Sequence, residues 1–441
     1  MISSKISDVV NANMCTGCGI CTSESENAKM IWNKEGFLVP DLNSNFSDSA
    51  IKVCPFNDNP DEEIKNEDEI ALINFPKARN TDERIGRFEN IYVGYSKDYR
   101  GTSSSGGIAT FVFEQLFSLN LIQHLFVVKE INGTYQYQWF NDFNDLKSIS
   151  KTRYIPVTLE NLFKEIDSKE GKVAISGVAC FVKAVRLKQY YYPVYRDKIS
   201  FVIGIICGGL KSKFYSDFLA QKTGIKGEYH KQEYRVKKPE SYALDYKFTA
   251  LDINDKVHSV EMQSLGDMWG SGLFKSNACD FCDDVTTELA DISLGDAWLS
   301  PYDKDGGGTS VIVARSKLAD DIITKGLKNF KLHIEELSLE KFKSSQDGSF
   351  KHRQKAIYYR LRTLKGFKPN KRKKFFQPIP IEFKIVQKCR MFVRKKSLEY
   401  WNGNISEYDL NVNSFRKKLF KQTIMYHRIQ KVKKIIGFKG L

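Results

Sequence analysis

Apolar positions along this chain fall into short continuous runs separated by stretches of helical period. The runs Ile91-Tyr-Val-Gly-Tyr95, Leu125-Phe-Val-Val128, Val173-Ala-Ile-Ser176, Phe201-Val-Ile-Gly-Ile-Ile206 and Ser310-Val-Ile-Val-Ala314 have the length and β-branched content of strands buried on both faces. Between them, 108–119, 158–167, 180–190, 212–222 and 317–328 carry apolar residues at helical spacing. This alternation predicts an α/β domain over 91–350 with a largely parallel or mixed sheet. Two extended runs within 243–265 predict an antiparallel addition, which gives the domain α+β features.

The flanks differ from this body. Residues 1–60 hold a cysteine loop and a short apolar turn, Lys29-Met-Ile-Trp-Asn33 and Gly36-Phe-Leu-Val-Pro40. Residues 61–90 follow the polar, acidic Asn57-Asp-Asn-Pro-Asp-Glu-Glu63 and suit a linker. Residues 351–441 contain 26 Lys/Arg against four acids, a balance of +22, whereas the first 350 residues carry 42 bases and 49 acids. The net charge of +15 is therefore a property of one end, and the mildly acidic body argues against a nucleic-acid partner. Phe383–Trp401 and Phe415–Ile436 read as helices within that basic tail. The second aligns Phe415, Leu419, Met425, Ile429, Val432 and Ile436 in one apolar stripe. It suits an anionic membrane surface or simple packing on the body with a solvated basic face, and the pattern leaves both open. No run of 18 apolar residues occurs, and the expected location is cytoplasmic or peripheral at the inner face of the membrane.

Eight of the nine cysteines then sort into two sets of four. The first is Cys15-Thr-Gly-Cys18-Gly-Ile-Cys21, closed by Cys54 before Pro55; Cys389 is left over. Three thiolates two residues apart can wrap one 4Fe–4S cube from a short loop, Gly17 and Gly19 allow it to turn, and a Cys-Pro pair supplies the distal ligand as in bacterial ferredoxins. Zinc and plain structural thiols are the alternatives, and the spacing favours the cluster. The second set is Cys180, Cys207, Cys279 and Cys282. Cys180 and Cys207 follow predicted strands and could face one crevice at the carboxyl edge of a sheet. On spacing alone this set reads equally as a second cluster or as small buried side chains. Thiols grouped as ligands point to a reducing compartment.

The loop Thr102-Ser-Ser-Ser-Gly-Gly107 opens a predicted helix and could offer backbone N–H groups to a phosphate. Gly208-Gly209 and Gly306-Gly-Gly308 are compatible with a cofactor's approach or with turns. No G-x-G-x-x-G or G-x-x-x-x-G-K-[ST] is present, the six histidines form no ligand spacing, and no catalytic residue stands out.

The chain resembles the family of coenzyme F420 hydrogenase and dehydrogenase beta subunits, which are iron–sulfur flavoprotein reductases. The resemblance covers about 15–60 and 91–350. It rests on the cysteine loop, Ser104-Ser-Gly-Gly-Ile-Ala-Thr110, Ser150-Lys-Thr-Arg-Tyr154, Ile175-Ser-Gly-Val-Ala-Cys180 and Ile206-Cys-Gly-Gly209. Above all it rests on Cys279-Asp-Phe-Cys282 running into Glu288-Leu-Ala-Asp-Ile-Ser-Leu-Gly-Asp-Ala-Trp298. It implies a second 4Fe–4S cluster on Cys180, Cys207, Cys279 and Cys282. It also implies FAD held near Ser104, Ser105, Gly106, Gly107, Thr110, Arg153, Ser176, Gly177, Gly208 and Asp296. The family's proline before the middle cysteine and glutamine after it are Ala179 and Phe181 here, which sets use of coenzyme F420 apart as an open point. The basic tail is more like the variable ends of family members found in bacterial polysaccharide gene clusters.

The expected function is an iron–sulfur flavoprotein oxidoreductase. Electrons would pass from a ferredoxin-like donor through two clusters to FAD and on to a small-molecule, nucleotide-linked or lipid-linked acceptor, in surface polysaccharide biosynthesis. The alternative is an electron-transfer beta subunit of a larger hydrogenase or dehydrogenase complex.

Overall fold

The computed structural model describes residues 4–131, 133–142, 144, 151–266 and 268–435. At its centre is an eight-stranded sheet in the order Leu332–Glu336, Asn90–Ser96, Ser310–Ala314, Ile292–Asp296, Ile199–Ile205, Val173–Val178, His124–Ile131, Thr134–Phe140. The four strands from Ile292–Asp296 to His124–Ile131 run parallel, and antiparallel strands close both sides. The mixed α/β class expected from the alternation is the one observed.

Period-two alternation sends successive residues to opposite faces. Phe201 and Ile203 pack with Phe111, Val112 and Leu116 of helix Ile108–Ser118 on one side. Val202 and Ile175 pack with Val182 and Val185 of helix Ala179–Tyr191 on the other. The expected antiparallel addition is a three-stranded sheet of Tyr229–Lys237, Tyr246–Asp252 and Val257–Glu261.

Three features differ from expectation. The strands Thr134–Phe140, Ile292–Asp296 and Leu332–Glu336 are not separable from loop by pattern, since Ile292-Ser-Leu-Gly-Asp296 is short and Leu332-His-Ile-Glu-Glu336 has only two apolar residues and ends in two glutamates. The segment 61–90 is no free linker. It contains helix Glu67–Asn74, capped by the Asn66 side chain, and Glu67 is a buried partner of Lys183 at 3.1 Å. The basic region after 350 is built into the body as well. Arg360, Lys371, Arg372 and Arg394 are buried; carboxylates of the body receive the last three, and Arg360 donates to the Asp280 backbone carbonyl at 2.5 Å and the Gln387 side chain at 2.8 Å. Arg372 forks onto Glu288 at 2.7 and 2.9 Å and reaches Asp283 at 3.1 Å, while Arg394 meets Asp280 at 2.8 Å.

The two long helices are Ile381–Glu399 and Ile405–Ile435. The second buries Val412, Leu419 and Tyr426, seven residues apart, so its inner seam is not the stripe read from the sequence. Phe415 packs on Phe392 and Leu419 is buried, but Met425 and Val432 are exposed; Ile436 lies outside the described residues. Lys417, Lys418, Lys421, Arg428 and Lys431 are exposed. Among the described residues no helix is long and apolar enough to cross a membrane.

Candidate functional site

Cys15, Cys18, Cys21 and Cys54 line one small cavity under helix Ile6–Asn11. The loop reaches this shape because Gly17 and Gly19 take φ of +74° and +79°, a region other residues rarely enter. A Cβ on Gly17 would stand 2.9 Å from the Leu38 carbonyl oxygen, so the apolar hairpin of Met30–Trp32 and Leu38–Pro40 packs directly on the loop. The Cys18 carbonyl accepts from the Leu159 N–H at 2.9 Å. Glu24, just past Cys21, forms a buried ion pair with Lys188 of helix Ala179–Tyr191.

Cys180, Cys207, Cys279 and Cys282 line a much larger cavity of about 1020 Å³. Cys180 lies in the first turn of the helix following Val173–Val178, and Cys207 lies just past Ile199–Ile205. Both therefore sit at the carboxyl edge of neighbouring parallel strands, as expected, and Asn277–Phe281 brings Cys279 in from the side. Thr16 and Phe56 line both cavities, so the two quartets are neighbours. Burial pushes the Cys180 thiol up, and the thiols of Cys282, Cys279, Cys207 and, from the first quartet, Cys18 add to it. Burial likewise pushes Cys15 and Cys279 each up to about 12.

These donors fit iron–sulfur cubes on two counts. Both quartets offer soft sulfur ligands alone, and N–H groups already point at the sulfurs. Gly17 donates to Cys15 Sγ at 3.4 Å, Gly209 to Cys207 Sγ at 3.3 Å and Leu210 to Cys279 Sγ at 3.1 Å. Among the described residues no three His, Cys, Asp or Glu groups converge closely enough to hold a single metal ion. That bears on a mononuclear site; a cube takes one thiolate at each of four separate irons.

Sequence reasoning missed Arg353. It came from a stretch read only as basic tail, yet its Nη2 donates to Cys282 Sγ at 2.7 Å and its Nη1 to the Cys207 carbonyl at 2.6 Å. No local signal marks it, because its role depends on the chain returning from residue 353 to the sheet edge.

The residues expected around a flavin are more dispersed. Gly208 lines the large cavity beside Trp269. Ser176 and Gly177 close Val173–Val178, and Asp296 ends Ile292–Asp296, where it pairs with Arg235 at 2.5 Å. Ser104 accepts from the Thr152 N–H at 3.0 Å, Arg153 lies over the Tyr135 ring at 4.6 Å, and Thr110 is buried. Ser150 is outside the described residues. Gly107 has φ +77°, and a Cβ there would stand 2.6 Å from the Tyr99 carbonyl carbon; at Gly106 it would stand 2.7 Å from the Gly94 oxygen. Chain packing alone thus explains both glycines. What does suit an anion is the positive charge around the loop. Lys237 donates to the Arg100, Gly307 and Ser105 carbonyls at 2.5, 2.8 and 3.2 Å, and burial together with Arg100, Lys151 and Arg235 lowers it to about 8.

Residues 170–340, which contain the second quartet, match the family described as the C terminus of the coenzyme F420 hydrogenase/dehydrogenase beta subunit. The chain is 21% identical over 375 residues to a coenzyme F420-dependent sulfite reductase of Methanocaldococcus jannaschii, covering 80% of this chain and 54% of that protein. It is 24% identical over 306 residues to the F subunit of an F420H2 dehydrogenase of Methanosarcina mazei, covering 68% and 81%. The chain thus spans about half the length of the sulfite reductase. A chain of the F420-reducing nickel–iron hydrogenase complex from Methanosarcina barkeri shares the fold, with TM-score 0.51 and 21% identity over 66% of this chain and 98% of its own. These likenesses support the family of F420 hydrogenase/dehydrogenase beta subunits, with the family's own match confined to residues 170–340.

Proposed function

We propose that this chain is an electron-transferring oxidoreductase subunit, which carries electrons between a partner protein and an organic molecule through its two cysteine quartets. The observation that carries this reading is that Thr16 and Phe56 line both cysteine cavities. The named functions of the relatives, a sulfite reductase and a dehydrogenase subunit, support the electron-transfer class. A 4Fe–4S cluster at each quartet would supply one-electron transfer, and FAD near Ser105 and Lys237 would join it to two-electron chemistry.

The chain's own residues prepare this. The N–H groups of Gly17, Gly209 and Leu210 and the Arg353 guanidinium offset negative charge on the sulfurs, which favours the reduced state. The Glu24–Lys188 pair and the Cys18–Leu159 bond hold the first quartet against the sheet domain. A ferredoxin-like protein is the natural donor at the first quartet. Coenzyme F420 is one candidate for the organic partner, with Ala179 and Phe181 as this chain's departures beside the second quartet.

A second reading, a self-sufficient reductase acting in surface polysaccharide synthesis, is favoured by the size of the cavity beside the second quartet. Anaerobic purification with iron, acid-labile sulfide and flavin analysis tests both. About eight irons per chain, four for each set of four thiolates, and one flavin are expected. Stoichiometric zinc without sulfide would end the electron-transfer reading, and a reductase active without any partner protein would favour the second.

A further inference from the structure

The cavity beside the second quartet is larger than its cysteine end requires. At about 1020 Å³ it reaches the upper end of ligand sites, about 1,000 Å³. Its far wall is helix Ile405–Ile435, from Asn413 to His427, with Phe383, Val386 and Arg390 of helix Ile381–Glu399. Both helices lie beyond the 170–340 segment that matches the family. The composition of the wall is specific. Seven Lys and Arg side chains line the cavity against two carboxylates, and both carboxylates already have partners: Asp280 meets Lys275 at 2.5 Å and Arg394, and Asp347 meets Lys351 at 2.5 Å. The cavity wall is therefore net positive.

Three of these cations stand on the two helices. Arg416 gives one N–H to the Leu265 carbonyl at 2.6 Å, which fixes a guanidinium that has five donors in all. Arg390 is anchored in the same way on the Gly270 carbonyl. Lys417, next to Arg416, has no ion-pair partner among the described residues. Trp269, Phe383 and Phe420 add apolar and aromatic surface to the same cavity. Cations with forked donors sharing a cavity with aromatic side chains are the chemistry that recognises a phosphate group on an apolar body.

We propose that this cavity binds a phosphorylated organic molecule, its phosphate held by Arg390, Arg416 and Lys417 and its apolar part lying toward Trp269 and the second quartet. This names the substrate class of the oxidoreductase reading above and rests on it. Two sources share the chemistry, a nucleotide-linked and a lipid-linked phosphate ester.

The test uses the full-length protein with its iron and flavin in place, titrated calorimetrically with UDP-glucose, farnesyl diphosphate and inorganic pyrophosphate. Saturable binding of either organic ester, at least tenfold tighter than pyrophosphate, is expected, and which ester binds identifies the source. Arg416→Ala/Lys417→Glu should weaken it at least tenfold with the visible spectrum and melting temperature unchanged; the exposed Lys417→Glu alone serves if the double variant does not fold. No binding of either ester, binding no tighter than pyrophosphate, or unchanged affinity in the variants would overturn the proposal. Iron and sulfide content, read on the same samples, reports separately on the electron-transfer reading.

Discussion

The guanidinium of Arg353 lies 2.7 Å from the sulfur of Cys282, although 71 residues separate them in the chain. Removing this donor should make the second cluster harder to reduce. A hydrogen bond to a charged group contributes about 1.5–3 kcal/mol, and a tenfold change in a one-electron equilibrium is about 59 mV. Arg353→Gln is therefore expected to lower one of two potentials by roughly 60–130 mV in a titration followed by electron paramagnetic resonance. Potentials identical to those of the wild type would remove Arg353 from the site.

Separate quartets predict separate losses. Cys15→Ser should halve the iron and leave flavin bound, because the loop is held by Leu159 and Lys188 rather than by the flavin-side strands. Cys282→Ser should halve it from the other side. Loss of all iron in either single variant would mean that the two sets do not load independently.

Lys188 and Glu24 are almost fully buried as a pair, and Tyr192 also donates to Glu24 at 2.6 Å. Breaking such a pair leaves one uncompensated charge at a cost of about 3–5 kcal/mol. Lys188→Met should lower stability by that order in chemical denaturation, and adding Glu24→Leu should recover part of it. An additive double variant would show that the two charges do not act together.

Flavin retention should depend on pH through Lys237. Its folded-state value is lowered from 10.5 to about 8, so its charge is present below pH 8 and lost above it. Flavin affinity, measured by fluorescence, is expected to fall several-fold between pH 7 and pH 9.5, and Lys237→Met should flatten that profile. A wild-type affinity constant across this range would put the flavin phosphate elsewhere. A bulky replacement at Gly107 would be a poor probe of flavin binding, because the Tyr99 backbone already excludes a side chain there.

Elements whose residues all point into one environment were readable from the chain. The buried strand Ser310–Ala314 and helix Lys317–Lys328 match their sequence-predicted bounds; the cysteine spacing marked the first quartet, whereas for the second it left a cluster and small buried side chains equally open. Features that depend on a distant partner were not. Arg372 reads as one more basic residue until Glu288 and Asp283 are brought against it. Tyr408, Val412 and Tyr426 disappear among lysines because two of the three inner side chains carry a hydroxyl. The same limit hid the central strand Ile292–Asp296, whose serine and glycine dilute its apolar signal.

The buried arginines after residue 350 also set a rule for recombination among relatives. Exchanging 351–441 for another protein's ending would leave Asp280, Asp283 and Glu288 as stranded charges in the interior. A chimera joined at residue 350 inherits half of each pair. The segment after residue 350 can therefore change only in step with the loop after Cys279, so the two must be transplanted together.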